Sequence, residues 1–316
     1  MKILANENQI FIYISAILLG ILSSYLLATN TSFLQVLILP FISILIYLSF
    51  VQIPFLALFS SLTNWRFLIA LLIGNFIVIP LILFIFLSFT HLKSSSQFAL
   101  ILVLLSPCVD YVVIFSKLGG GNCKLMLIST PILLILQLVL LPLYLYLFLN
   151  QTITQLINLK PFICDFIFII LLPLLLAFLT QLIQQKISYL KKIQKKSESL
   201  CVLFLSIVLF LIFSSQFQLM ISNANTNLFT AVLVYISFLI IMPVVAIYLG
   251  DFLKLKTAET RTLAFSFLTR NSLIILPIAF SLSGHLSIIL SIIIAQICIE
   301  LLGELIYIRL MPELII

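Results

Sequence analysis

Residues 106–122 read S-P-C-V-D-Y-V-V-I-F-S-K-L-G-G-G-N. The stretch lies inside a long apolar run, yet it holds a proline, a thiol, a carboxylate and three of the chain's eight glycines. Polar groups and irregular backbone are tolerated at membrane depth only where they face protein or a wet cavity. The stretch is therefore read as a broken membrane helix and as the seat of the working site.

The rest of the chain agrees with a lipid solvent. Of its 316 residues 64% are hydrophobic and 8% charged, with a mean hydropathy of +1.36. No soluble fold hides that much apolar surface, so an all-α membrane protein is expected, with residues 1–316 forming a single transmembrane domain. The net charge of +7 does not call for nucleic acid, because the basic residues sit in short loops between apolar runs. Five cysteines (Cys108, Cys123, Cys164, Cys201, Cys298) show no C-x-x-C spacing, which argues against disulfides and zinc. No cofactor is called for. The apolar segment from Ile10 to Ala28 is read as a retained helix rather than a leader.

A spanning helix needs about 20 apolar residues. Breaks in hydropathy predict ten spans, at about 9–28, 33–55, 66–90, 97–118, 124–149, 160–184, 199–220, 228–250, 260–283 and 287–310. With that count, thirteen Lys and Arg fall on one side and only Lys93 and Lys160 on the other. The bias places both termini in the cytoplasm of a multi-pass plasma or inner membrane protein. The basic stretch Lys186–Lys196 then reads as a cytoplasmic loop drawn to anionic lipid.

Sliding the chain against itself by 163 residues aligns predicted helices two to five with seven to ten. Ser43 meets Ser206, Pro80 meets Pro243, Gly121 meets Gly284, Gln137 meets Glu300 and Tyr144 meets Tyr307. Five helices per half is an odd number, so the halves (about 9–149 and 160–310) would lie inverted, as in many secondary transporters. The same shift sets Cys108 opposite Asn271, in L-T-R-N-S-L-I-I-L-P-I-A, where polar residues and Pro277 again interrupt an apolar span. Two irregular helices at matching repeat positions mark a transporter's binding site. Their half-helix ends would offer N–H groups to anions and carbonyls to cations.

Four ionisable groups fall well inside predicted spans: Asp110, Asp165, Arg270 and Glu300. Asp110 and Arg270 lie on the two broken helices and are expected to pair where these cross. Such a pair either changes partners during transport or serves as a fixed strut, and the sequence leaves both open. Glu300 carries a charge that an apolar span disfavours, which suits a proton carrier; the alternative is a neutral acid joining two helices. Glu304 and Asp165 are expected near the membrane interface, as are His91 and His285. Cys108 follows Pro107, where the helix has lost a backbone hydrogen bond. A buried cysteine is usually an inert small hydrophobe, although a thiolate also favours soft, thiophilic species. Gly119, Gly120 and Gly121 lack the Lys-Ser/Thr of a phosphate loop and read as a helix end and tight turn.

Taken together, P-C-V-D-Y-V-V-I-F-S-K-L-G-G-G-N, T-A-E-T-R-T-L-A-F-S-F-L-T-R-N-S and A-Q-I-C-I-E-L-L-G resemble the bile acid/sodium symporter superfamily, nearest to its arsenical-resistance branch. The resemblance implies ten helices in core and panel subdomains, with the fourth and ninth broken and crossing at the substrate site. It would make Cys108 an arsenite ligand and Glu300 the proton-coupling carboxylate. Where the arsenite exporters resemble S-N-N-F-E, this chain has Thr269, Arg270, Asn271, Ser272 and Leu273. An organic-anion transporter, with Arg270 and helix N-termini holding the anion, therefore stays as the alternative. A guanidinium in or beside a sodium site should repel the ion, so protons are favoured over sodium as the coupling ion. An intramembrane enzyme is disfavoured for want of H-E-x-x-H or a polyacidic metal motif. Broken helices argue against a purely structural or sensory protein.

The charge bias gives a direct test. A reporter that works only in the cytoplasm should be active when fused after Ile316 and inactive when inserted beside Lys93.

Overall fold

The computed structural model describes residues 2–26, 32–52, 64–90, 92–109, 111–148, 171–183, 188–222, 225–280 and 286–315. Asp110, Asp165, His91, His285, Cys164 and Gly284 lie outside them. In chain order the helices are α1 (Lys2–Leu26), α2 (Ser32–Gln52), α3 (Trp65–Ile73), α4 (Ile79–Phe89), α5 (Ser94–Leu104), α6 (Val112–Leu118), α7 (Cys123–Phe148), α8 (Leu172–Ile183), α9 (Ser188–Ser222), α10 (Thr226–Phe252), α11 (Thr257–Leu268), α12 (Ser272–Phe280) and α13 (Leu286–Leu314). A π-helical turn, Gly74–Val78, joins α3 to α4 without a break. The described residues are almost wholly helical, and six helices are long and apolar enough to cross a membrane. Large apolar side chains such as Phe89, Tyr146 and Phe252 stand exposed, as a lipid-facing surface requires.

The chain divides into two units. The first comprises Met1–Ile53, Asn158–Asn223 and Leu276–Ile294. In it α9 packs against α1 and α2, and α8 packs against α2. Gly20 lets α1 approach α9 so closely that a Cβ there would sit 2.9 Å from the Phe210 carbonyl oxygen. Beside it the Ser23 hydroxyl donates to Ser214 Oγ at 2.6 Å, and Gln218 Nε2 donates to the Ser24 carbonyl at 2.6 Å. Small residues and short polar bridges are how apolar helices find a partner when lipid is as apolar as leucine. The basic stretch read as a loop is helical from Ser188 onward, because nothing between Ser188 and Ser222 is Gly or Pro.

The second unit comprises Pro54–Ile157, Ala224–Ile275 and Ala295–Ile316. Here α11 lies against α10, α3, α6 and α7. The glycines after α6 make that packing possible. Gly120 adopts φ +73°, which disfavours any other residue, and a Cβ on Gly119 would fall 2.2 Å from the Phe265 ring. Asn122 N–H then donates to Thr262 Oγ1 at 2.6 Å, fixing the start of α7 on α11. Arg261 sits beside this turn and donates to the carbonyl of Ile315 at 2.7 and 3.0 Å, tying down the C-terminal end of α13.

Gly74 is the tightest contact: a Cβ there would lie 1.8 Å from Phe267 Cζ, and Phe267 is fully buried. Gly74→Ala should therefore cost about 2 kcal/mol of stability. Phe267→Leu combined with it should restore part of that loss in thermal denaturation of the purified protein.

Candidate functional site

Both apolar helices that the sequence marks as irregular are interrupted within the second unit. α5 stops at Leu104 because Pro107 lacks an N–H and disfavours helical geometry at Ser106. Ser106 Oγ folds back onto the Leu102 carbonyl at 2.7 Å, and the helix resumes at Val112 after Tyr111. α11 stops at Leu268, Thr269 turns extended (φ −82°, ψ 135°), and α12 begins at Ser272. No proline or glycine forces this second break. The two interruptions meet: Pro107 and Arg270 form an isolated antiparallel bridge, and Asn271 N–H donates to the Ser106 carbonyl at 2.8 Å. Asn271 also starts α12, with Oδ1 accepting from Ile274 N–H at 3.4 Å.

Arg270 is the largest fully buried side chain among the described residues. Its Nη1 donates to Asn75 Oδ1 and to the Leu104 carbonyl, both at 3.3 Å. Its Nη2 donates to the carbonyls of Ser266 (3.1 Å) and Phe267 (2.6 Å). The guanidinium carbon lies 5.3 Å from the centre of the Phe238 ring, a cation–π distance. Leu104 ends α5, and Ser266 and Phe267 lie in the last turn of α11. The cation is thus held by carbonyls that helix ends leave unpaired, where the helix dipole is negative. Asn75 reaches it from the π turn, with Nδ2 anchored on the Leu71 carbonyl (3.0 Å) and Ser266 Oγ (3.1 Å).

Glu300, 2% exposed, grips the same break from α13. Its Oε2 accepts from Arg270 N–H at 2.9 Å and from Gln296 Nε2, while Gln296 Oε1 accepts from the Ser272 hydroxyl. Its Oε1 accepts from the Tyr111 hydroxyl at 2.7 Å, and that hydroxyl also lies 2.7 Å from the Arg270 carbonyl. Tyr235, Phe238, Arg270, Gln296 and Glu300 help to line a cavity of about 10 Å³, room for one water-sized molecule. The Tyr235 hydroxyl, Arg270 Nε and Asn271 Nδ2 are buried donors with no partner among the described residues. Cys108 is fully buried in the interrupted segment, within electrostatic reach of Arg270.

The sequence-predicted residues Pro107, Cys108, Arg270, Asn271 and Glu300 thus fall in one region. Asp110 and its expected pairing with Arg270 lie outside the described residues, and Pro277 falls inside α12. Gly119, Gly120 and Gly121 sit at the far end of α6, where they seat α7 and α11. Glu304, expected near the interface, is fully buried among the helices, and neither of its carboxylate oxygens has a partner among the described residues. α13 runs on for ten residues beyond it, to Leu314. Sequence reasoning missed Asn75, Tyr111 as a ligand of Glu300, Tyr235, Ser272 and Gln296. A polar residue after glycine in I-G-N-F is the one signal that could have flagged Asn75. Among the described residues no group of three His, Cys, Asp or Glu side chains could hold a metal ion, and the described cysteines are free thiols.

Losing the guanidinium leaves four buried oxygens without their donor. Arg270→Met should lower stability by roughly 3 kcal/mol. Arg270→Lys should recover less than half of it in thermal unfolding, because an ammonium cannot present the planar fork.

Among curated proteins no relative matches the chain. A family model, that of the sodium bile acid symporter family, matches residues 39–223, which include the first interruption and stop short of Arg270 and Glu300. With more than half the chain matched and its helices apolar enough to span a bilayer, the protein belongs to the sodium bile acid symporter family and is a multi-pass membrane transporter.

Proposed function

We propose that the protein is a secondary exporter, coupled to protons, of arsenite or a related metalloid, working in the plasma or inner membrane with both termini in the cytoplasm. The observation that carries this reading is the placement of Glu300. A carboxyl group that can gain and lose a proton holds the backbone of one helix break, and through Tyr111 it touches the other. A fully buried thiol, Cys108, lies in that other break and offers a single soft ligand. One thiol suits release, since a three-thiolate site would hold As(III) too tightly.

The family's description names sodium. Against sodium coupling here stands Arg270, whose fixed charge occupies an oxygen-rich cage of the kind a small cation would need. The family's description also names bile acid, which points to an organic anion as the alternative substrate. Arg270 Nε and Asn271 Nδ2, buried donors without a partner among the described residues, favour that second reading. The present cavity admits neither substrate, so either would bind in a conformation with a wider opening.

An inverted ten-helix repeat, with core and panel subdomains, is part of the proposal. Three sets of contacts support it. Tyr144 donates to the Phe76 carbonyl and Tyr307 to the Leu239 carbonyl, and adding 163 to the first pair gives the second. The bridge between Pro107 and Arg270 likewise joins positions 163 residues apart, as expected where two inverted halves cross on their axis. Asn75 and Phe238, again 163 apart, both contact Arg270.

Uptake into inverted vesicles tests the reading. Arsenite should accumulate when the vesicle interior is acidic, regardless of sodium, and Cys108→Ala should cut that rate at least tenfold. Arsenite transport indifferent to the thiol would sink the ligand role. Sodium-driven uptake of a bile acid would establish the second reading instead.

A further inference from the structure

The Tyr111 hydroxyl faces two acceptors at 2.7 Å, Glu300 Oε1 and the Arg270 carbonyl. A phenol carries one proton and donates to one of them at a time. When Glu300 is ionised, its carboxylate is the stronger acceptor and takes the bond, and the Arg270 carbonyl goes without it. When Oε1 carries a proton, the carboxyl O–H donates to the phenol oxygen and the phenol donates to the Arg270 carbonyl. Both short contacts are then satisfied together. We propose that Tyr111 is a positioning residue that transmits the protonation of Glu300 to the backbone break between α11 and α12, closing that break when the acid is neutral. This rests on the proton-coupled reading of Glu300.

The Arg270 residue is held at both ends by this circuit. Its N–H donates to Glu300 Oε2 and its carbonyl accepts from Tyr111, on the strand-like segment that bridges Pro107. Withdrawing the phenol proton therefore loosens the segment on which the two broken helices meet, together with the neighbouring Asn271 N–H bond to Ser106. Among the described residues the groups facing Glu300 are Arg270 from the break, Tyr111 at the start of α6, Tyr235 from α10, and Gln296 and Glu304 on α13 itself. Of these only Tyr111 joins the carboxyl to a carbonyl of the break.

The device is one-sided. At the positions 163 residues away, Gln137 stands for Glu300 and Ile274 for Tyr111, so the repeat-related pair has neither a titrating acid nor a hydroxyl. A proton would then favour one of two repeat-exchanged conformations over the other, which is what coupling requires.

Hydrogen–deuterium exchange on the purified full chain in lipid nanodiscs tests the relay without a substrate. After correction for intrinsic pH dependence, peptides spanning 266–276 should exchange about fivefold more slowly in acid than in alkali, the factor one ordinary hydrogen bond carries. Tyr111→Phe keeps the ring and its edge contact with Phe115 and should abolish the difference; Glu300→Gln should abolish it too. If Glu300→Gln is flat while Tyr111→Phe behaves as wild type, the relay is wrong and proton coupling stands. A full pH difference in Glu300→Gln overturns both. Infrared difference spectra of the wild type against Glu300→Gln cover the case in which Tyr111→Phe folds poorly. Protonation of the carboxyl must bring an amide I change with it, and a carboxyl band alone overturns the relay.

Discussion

A guanidinium buried among apolar helices must find oxygen, and in this protein the oxygen comes from helix ends. An intact helix spends its carbonyls on its own N–H groups, so only a break can offer them to a third party. The last carbonyl of α5 and two from the last turn of α11 converge on Arg270. The dependence runs both ways. Without the breaks the cation would have no acceptors in a medium where an unpaired charge is prohibitive. Without the cation, two negative helix ends would face each other unneutralised. Neighbouring features follow from that meeting point. Gly74 admits the Phe267 ring, the π turn directs Asn75 to Nη1, and Phe238 covers the guanidinium face.

How much of this was legible depended on whether a residue declares itself by type alone. Pro107 does, because a missing N–H breaks any helix, and the break after α5 follows from it. The break after α11 has no such residue; only the polar run Thr269 to Ser272 within apolar sequence marks it. Asn75 stayed hidden because hydropathy periodicity has no term for a π turn. Tyr111 and Tyr235 stayed hidden because a tyrosine in an apolar span counts as a ring, and its hydroxyl acquires meaning only when an acceptor is placed beside it. Distance along the chain says nothing of burial, and Glu304, ten residues before the end of α13, is fully enclosed by its neighbours. The lysines before Ser199 misled in another way: charge forbids a membrane interior, but it does not forbid a helix.

On the repeat reading, the places where the halves differ say more than those where they match. Tyr144 and Tyr307 make the same bond to the same relative carbonyl, which is architecture. Asn75 faces Arg270 with an amide where Phe238 faces it with a ring, and Glu300 stands where the first half has Gln137. Two inverted halves of identical chemistry would have no preference between exchanged conformations. Differences at the crossing are what let a ligand or a proton select one.

Those differences also fix the electrostatics of the site. Arginine stays charged at any physiological pH, so the cage built by Asn75, Leu104, Ser266 and Phe267 holds a permanent cation that no gradient can move. Among the described residues the carboxyl group bonded beside it is Glu300, which accepts from the main chain of the very residue carrying the cation. Ionised, the carboxylate balances the guanidinium and leaves the pair neutral; protonated, it leaves the pair with one net positive charge. On the proton-coupled reading, a transporter that keeps its cation and varies its acid places the energy of coupling in a proton, and the hydrogen bonds around that acid then decide which backbone feels the change.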